Sequence, residues 1–165
     1  MLLVLGAYCF TFFLLDIEAN TVNWPLQLND FNRSRFIAWN AKTEEACPFY
    51  IPVNGGRFRS PEEYTDKSAL TEKIDVYSLG NLLWSILKEE TVWPSVESKD
   101  VQKNVREGIF PTISSDESDN YTAMEKAVIH AMEMCFVMDV DKRNTSIEVE
   151  KYLRKQLKKF CVSEI

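Results

Sequence analysis

The chain has 165 residues, of which 45% are hydrophobic and 27% charged, a composition typical of one globular domain and not of a disordered or fibrous chain. Because its formal net charge is −6, a phosphate backbone would repel it, which argues against nucleic-acid binding. Its four cysteines have no C-x-x-C spacing and only one histidine beside them, so neither a zinc site nor a disulfide framework is expected. We predict free buried thiols, and hence a reducing, cytoplasmic compartment.

The first fifteen residues are almost wholly apolar and uncharged. The run is shorter than the roughly 20 residues that cross a bilayer, and it lacks the basic start and cleavage site of a signal peptide. Three interpretations stay open: a buried strand or helix, an incorrect or alternative start of the chain, and an export or anchoring segment of a secreted or membrane-associated protein. We treat residues 1–15 as a segment of uncertain status and do not expect a membrane partner.

A short hairpin and a long loop are predicted next. Residues 26–29 alternate with period 2, as a half-buried strand does, and residues 12–16 are a candidate partner strand. Residues 32–58 show no clear periodicity and contain two prolines and an Asn-Gly-Gly turn. A segment of this length is expected to be disordered or a functional loop.

From Ser60 onward the pattern is helical. Ser60, Pro61 and Glu63 form a capping box with a proline at the first helical position. Residues 74–87 are apolar on every face, which predicts a helix in the centre of the domain. Further helices are predicted over residues 98–107, 121–138 and from Thr145, whose capping box opens the last one. Their predicted inward-facing residues are Met124, Val128, Ala131, Met132, Cys135, Val149, Leu153, Leu157 and Phe160, whereas the exposed face of the last helix carries Lys151, Arg154, Lys155, Lys158 and Lys159.

Four short motifs then resemble those of eukaryotic-type protein kinases, in the order that this family has them. Asp30, Phe31 and Asn32 resemble the D-F-G motif, with Asn in place of Gly, and Ser60, Pro61 and Glu62 resemble A-P-E. The run from Asp75 to Gly80 resembles D-x-W-x-x-G, and Asp141 to Asn144 resembles D-x-x-R-P. The resemblance implies a mainly α fold, the C-terminal lobe of a protein kinase with a small β-hairpin before the activation segment. It makes residues 16–162 a partial kinase domain and residues 163–165 a tail.

The resemblance also implies roles for single residues. Asp30 matches the aspartate that holds the Mg²⁺ of Mg²⁺–ATP, and Asn32 is one of the few residues that can replace the glycine after it. Glu62 matches the glutamate that pairs with the arginine at position 143. Asp75 matches the residue that caps the central helix and holds the catalytic loop. Without the motif, these residues would be ordinary loop, helix-end or surface charges.

The activation-loop region contains hydroxyls whose phosphorylation would act through new arginine contacts. Thr43, Tyr50 and Tyr64 are the candidate hydroxyls, although for any one of them an unmodified exposed side chain is the simpler expectation. The candidate arginine partners are Arg33, Arg35, Arg57 and Arg59.

No catalytic residue can be assigned, because the strand lysine, the Gly-rich loop and the H-R-D loop of the family have no match here. Residues 6–11 stand where the H-R-D loop is expected, and the single histidine is His130. Two interpretations follow. The first is a truncated protein kinase that is inactive alone and whose family uses ATP and Mg²⁺ to phosphorylate Ser, Thr or Tyr of proteins. The second is a pseudokinase-like module that binds proteins without catalysis. A membrane-tethered or secreted helical protein is a third, resting on residues 1–15 alone.

Overall fold

A computed structural model describes residues 2–4, 34–114 and 119–162, with the side chains of residues 2–4, 161 and 162 left out. The predicted hairpin of residues 12–16 and 26–29 lies outside these ranges. The described part contains four α-helices: α1 (Lys73–Lys88), α2 (Ser98–Arg106), α3 (Ala123–Cys135) and α4 (Ser146–Val162). The predicted mainly α fold is confirmed.

Two small antiparallel pairs of strands precede the helices. Strand β1 (Leu2–Val4) pairs with β2 (Arg35–Ile37), with Leu2 opposite Ile37, and β3 (Trp39–Asn40) pairs with β4 (Glu45–Ala46). Three residues of the apolar N-terminal segment therefore form a strand. Residues 32–58 contain three short strands that their sequence pattern did not indicate.

Helix α1 lies at the centre of the helical lobe, as its uniformly apolar pattern predicts. Tyr77 and Trp84 belong to one core cluster, which also contains Val101 and Val105 of α2, while Val76 on another face packs into a second cluster. The helix ends at Glu89, which takes a left-handed conformation with φ 53° and donates its amide to the carbonyl of Ser85.

Capping boxes start both α3 and α4, because a threonine and a glutamate three residues later satisfy each other's backbone amides. Thr122 pairs with Glu125 in this way, and Thr145 pairs with Glu148. The hydroxyl and the amide of Thr122 donate to the Glu125 carboxylate and lower its pKa from the ordinary value, and the amide and the hydroxyl of Thr145 lower the pKa of Glu148 in the same way.

Helices α3 and α4 pack against α1 through a buried cluster of Val76, Ala131, Cys135 and Val149. The expectation that Met124 and Leu157 face inward is wrong, because these side chains are 52% and 55% exposed. Both line an open groove between α3 and α4, so no element among the described residues fully covers these apolar positions.

The predicted helix at Ser60 is a single 3₁₀ turn, Pro61–Tyr64. The capping box is present, but Thr65 returns to an extended conformation, with φ −105° and ψ 122°. All four residues of the turn are buried. Their side chains are held by packing and ion pairs, as described next.

Candidate functional site

Residues 55–64, called the anchored segment below, are fastened to the helical core by hydrogen bonds of their backbone and side chains. Ser78 and Asn81 of α1 both donate to the carbonyl of Phe58, at 2.9 and 3.2 Å. Within the segment, the Tyr64 hydroxyl donates to the carbonyl of Gly56 at 2.5 Å. Arg57 donates to the carbonyl of Trp93, at 2.6 Å, in the connection between α1 and α2. Because these bonds join the segment to α1, to the α1–α2 connection and to itself, they fix the path of its backbone.

A buried ion pair stabilises the segment from within. Arg59 Nη1 donates to Glu63 Oε1 at 2.8 Å, and the two side chains are 2% and 0% exposed. The other carboxylate oxygen of Glu63 accepts from the amide and the hydroxyl of Ser60, at 2.9 and 3.0 Å. Burial raises the pKa of Glu63, while the Ser60 hydrogen bonds and the Arg59 charge oppose that rise.

A second buried ion pair ties the segment to the far end of the chain. Arg143 Nη1 donates to Glu62 Oε1 at 2.6 Å, and Arg143 Nη2 donates to Glu62 Oε2 at 3.1 Å. The Arg143 side chain is fully buried and that of Glu62 is 8% exposed. The two parallel bonds match the planar fork of the guanidinium to the carboxylate. The structure thus brings together the two charges that the sequence motifs paired.

Two further N–H groups of Arg143 donate to backbone carbonyls. Its Nε donates to the carbonyl of Val137 at 2.9 Å, and its Nη1 also donates to the carbonyl of Lys73 at 2.8 Å. In return, the ammonium of Lys73 donates to the Arg143 carbonyl. The guanidinium lies over the ring of Tyr77, 5.2 Å from its centroid. These four hydrogen bonds offset the cost of removing the guanidinium from water.

Gly80 lets α1 and α3 approach closely at this site. A Cβ on Gly80 would lie 2.8 Å from Cys135 Cβ and 2.8 Å from a ring carbon of Phe136. Phe136 in turn packs edge-on against Tyr77, with ring centroids 5.2 Å apart. The small residue of the D-x-W-x-x-G pattern therefore has a packing reason here.

The structure describes only some of the other residues that the sequence motifs identify. Asp30, Phe31 and Asn32 lie outside the described residues, so a metal-binding role for Asp30 stays a prediction. Asp75 lies in the first turn of α1 with one carboxylate oxygen buried, and its role in holding a catalytic loop also stays a prediction. In the part of the chain that the structure describes, no three His, Cys, Asp or Glu side chains form a metal-binding group.

Two of the phosphorylation-related interpretations are wrong. Arg59 is not available to a phosphate, because it is buried against Glu63. Tyr64 is not available to a kinase in the folded chain, because it is buried and its hydroxyl donates to Gly56. Tyr50 is 63% exposed, and Thr43 is exposed, so both stay candidates.

The fold and the site define a class of protein. It has a helical lobe built around a central buried helix, and in this lobe a glutamate at the end of a long loop pairs with an arginine before the last helix. The sequence matches the family model of the protein kinase domain over residues 13–156, which is most of the chain. The chain therefore belongs to the protein kinase family. A comparison with curated proteins finds no significant match. No helix within the described ranges is long and apolar enough to cross a membrane.

Proposed function

We propose that this kinase-family chain uses the buried anchored segment to hold the exposed residues beside it, 52–54 and 65–67, in place for protein partners, and that the 165 residues alone do not transfer phosphate. The observation that carries the proposal is the double anchoring of residues 55–64 by Arg59–Glu63 and by Glu62–Arg143. In kinases this part of the chain ends the activation segment, and protein substrates or regulators are the partners expected of the family. Two buried ion pairs in the anchored segment keep its backbone in one conformation, and this conformation positions the exposed residues on either side of it.

The expected lack of phosphate transfer follows from what phosphoryl transfer requires. Catalysis needs a loop that binds the phosphates, a metal ion, and a base near the attacking hydroxyl. The 165 residues contain no G-x-G-x-x-G, and their only histidine, His130, is followed by Ala131 and not by Arg-Asp. His130 is exposed and lies beside Glu133 and the ring of Tyr152, a surface arrangement without a reacting group.

Members of the family use ATP with Mg²⁺, and Asp30 is the residue that would contact the metal. When bound, the metal neutralises charge on the transferring phosphate. We propose that the 165-residue chain binds Mg²⁺–ATP weakly or not at all, because half a cleft cannot bury an adenine ring.

The test is an assay of the purified chain with radiolabelled Mg²⁺–ATP and a generic protein substrate, in parallel with a thermal-shift titration in millimolar Mg²⁺–ATP. We expect no transfer and no rise in melting temperature, for the native chain and for Asp30→Ala alike. Phosphate transfer or a thermal shift that disappears in Asp30→Ala would contradict the proposal.

The alternative is a pseudokinase-like module that binds proteins and takes no part in catalysis. It is favoured by exposed aromatic side chains on strands β2 and β3, since Phe36 and Trp39 are 71% and 65% exposed. Aromatic side chains are enriched at protein interfaces. Transcript sequence upstream of the first codon distinguishes a catalytic protein kinase from a pseudokinase-like module. In-frame H-R-D and V-A-I-K motifs favour the protein kinase, and in-frame stop codons favour the module.

A further inference from the structure

One side of α4 carries four exposed lysines that face away from the helical lobe. They are called the lysine face below and are Lys151, Lys155, Lys158 and Lys159. At 3.6 residues per turn and 1.5 Å per residue, they cover about 100° of the helix circumference and about 12 Å of its length. On the opposite side of α4, Val149 is fully buried against the lobe.

The carboxylates close to the lysine face have other partners. Glu150 of α4 pairs with Arg154, and Glu148 accepts the hydrogen bonds of the capping box that starts α4. On α3, Glu133 lies beside His130. Among the described residues, no ion pair joins the lysine face to a carboxylate. Its four positive charges are therefore not paired within the part of the chain that the structure describes.

The spacing of these lysines is unfavourable for the helix itself. Lys151 and Lys155 are four residues apart, as are Lys155 and Lys159, and like charges at this spacing repel each other. The helix dipole favours cations only in about the last turn, which contains Lys159. Because Lys151 and Lys155 lie further back in α4, the dipole does not offset their repulsion. A bound partner of opposite charge would.

An extended acidic segment matches the spacing of the lysine face. Lysines four residues apart on a helix are separated by about 6 Å along its axis. Alternate side chains of an extended chain point to the same side and are separated by about 6.6–6.8 Å. Carboxylates at alternate positions of such a segment can therefore lie opposite Lys151, Lys155 and Lys159.

From these observations we infer that the lysine face of α4 binds an acidic segment of a partner protein, in an extended conformation with carboxylates at alternate positions. The chain as a whole carries a net charge of −6, so its remaining surface repels such a segment and directs it to this face. An anionic membrane is the weaker candidate, because the apolar side of α4 points away from the lysines and cannot insert while they contact headgroups. The inference is independent of phosphate transfer and of the anchored segment.

The test uses two synthetic peptides of equal length with the same dye, one made of Ser-Glu repeats and the other of Ser-Gln repeats. Binding to the full chain is measured by fluorescence anisotropy at low and at high salt. At low salt we expect the Ser-Glu peptide to bind at least about tenfold more tightly than the Ser-Gln peptide. This preference should shrink at high salt, because salt screens charges that are exposed to solvent.

Two double variants locate the binding. Lys151→Gln combined with Lys155→Gln removes two charges from the lysine face and should weaken binding of the Ser-Glu peptide about fivefold at low salt. Lys99→Gln combined with Lys103→Gln is the matched control, because these lysines are also exposed and four residues apart but lie on α2. The control should change the affinity by less than about twofold.

Three results would overturn the inference. The first is equal binding of the two peptides, or binding of neither. The second is an equal loss of affinity in the two double variants. The third is binding of the native chain to phosphatidylserine vesicles, lost in the variant of Lys151 and Lys155, without binding of the Ser-Glu peptide, which would assign the lysine face to a membrane. Circular dichroism of each variant verifies that the fold is retained.

Discussion

The buried pair of Glu62 and Arg143 gives the most decisive test of how this lobe is held together. Replacing Glu62 by Gln leaves the guanidinium without its counter-charge at a site where both side chains are shielded from water. Removing one partner of a buried pair costs about 3–5 kcal/mol, which is a large part of the 5–15 kcal/mol typical of a folded domain. Arg143→Met should cost at least as much, because it also removes the donors to the carbonyls of Val137 and Lys73.

Urea unfolding of the native chain, the two single variants and the double variant measures the coupling between these residues. We expect the double variant to lose less than the sum of the single losses, with a coupling free energy of about 2–3 kcal/mol. Arg143→Lys should also be destabilised, because an ammonium cannot form both parallel bonds to the carboxylate.

A neighbouring ion pair provides the matched control. Lys142 and Asp139 are 2.8 Å apart, but both side chains are well exposed, so Lys142→Met should leave stability unchanged within the error of the measurement. Additive losses for Glu62→Gln and Arg143→Met, within about 0.5 kcal/mol, would refute the reasoning that the pair acts as a unit. So would an equal loss in Lys142→Met.

Three further predictions concern packing and protonation. Gly80→Ala should lower the free energy of unfolding, measured in urea, by about 1–3 kcal/mol, because the added methyl overpacks α1 against α3. Gly55→Ala is the control and should lower it much less, because its added Cβ would meet only side-chain atoms at 3.6 Å or more. Equal losses in the two variants would contradict this prediction. Tyr64→Phe should lower the free energy of unfolding by about 1 kcal/mol, because it removes the hydrogen bond to the Gly56 carbonyl. An unchanged unfolding midpoint would show that the bond contributes nothing. Burial raises the pKa of Cys135 from its ordinary value of 9.0 to about 12, so its thiol should resist alkylation at pH 8 until the chain unfolds, as mass spectrometry can measure. Because the unfolded thiol ionises first, stability should fall as pH rises from 9 towards 12, and this fall should be smaller in Cys135→Ala.

Much of the helical structure could be predicted from local sequence. The apolar run of residues 74–87 predicted α1 to within one residue at each end, and the capping box at Thr145 predicted the start of α4. These features depend on side chains a few residues apart, which interact through the helix's own hydrogen bonds and periodicity. The contact between Glu62 and Arg143 was also foreseen, but only because a family resemblance connected two distant motifs.

The site was harder to predict, because burial is decided by elements that are distant in sequence. Arg59 and Glu63 are four residues apart, a spacing that on an exposed helix makes a weak surface pair. Here the segment is bonded to α1 and its 3₁₀ turn packs against α2, and the pair is buried. No local pattern distinguishes these two cases.

The sequence alone determined where the helices form, which of their faces are apolar, and which family the motifs resemble. Only the tertiary structure decided which apolar faces are covered. Val149 and Leu157 lie on the same apolar side of α4, yet Val149 is buried against α1 and α3 while Leu157 is left half-exposed at an open groove between α3 and α4. Helical periodicity places a side chain on a face, but what packs on that face depends on how the other helices are arranged in space.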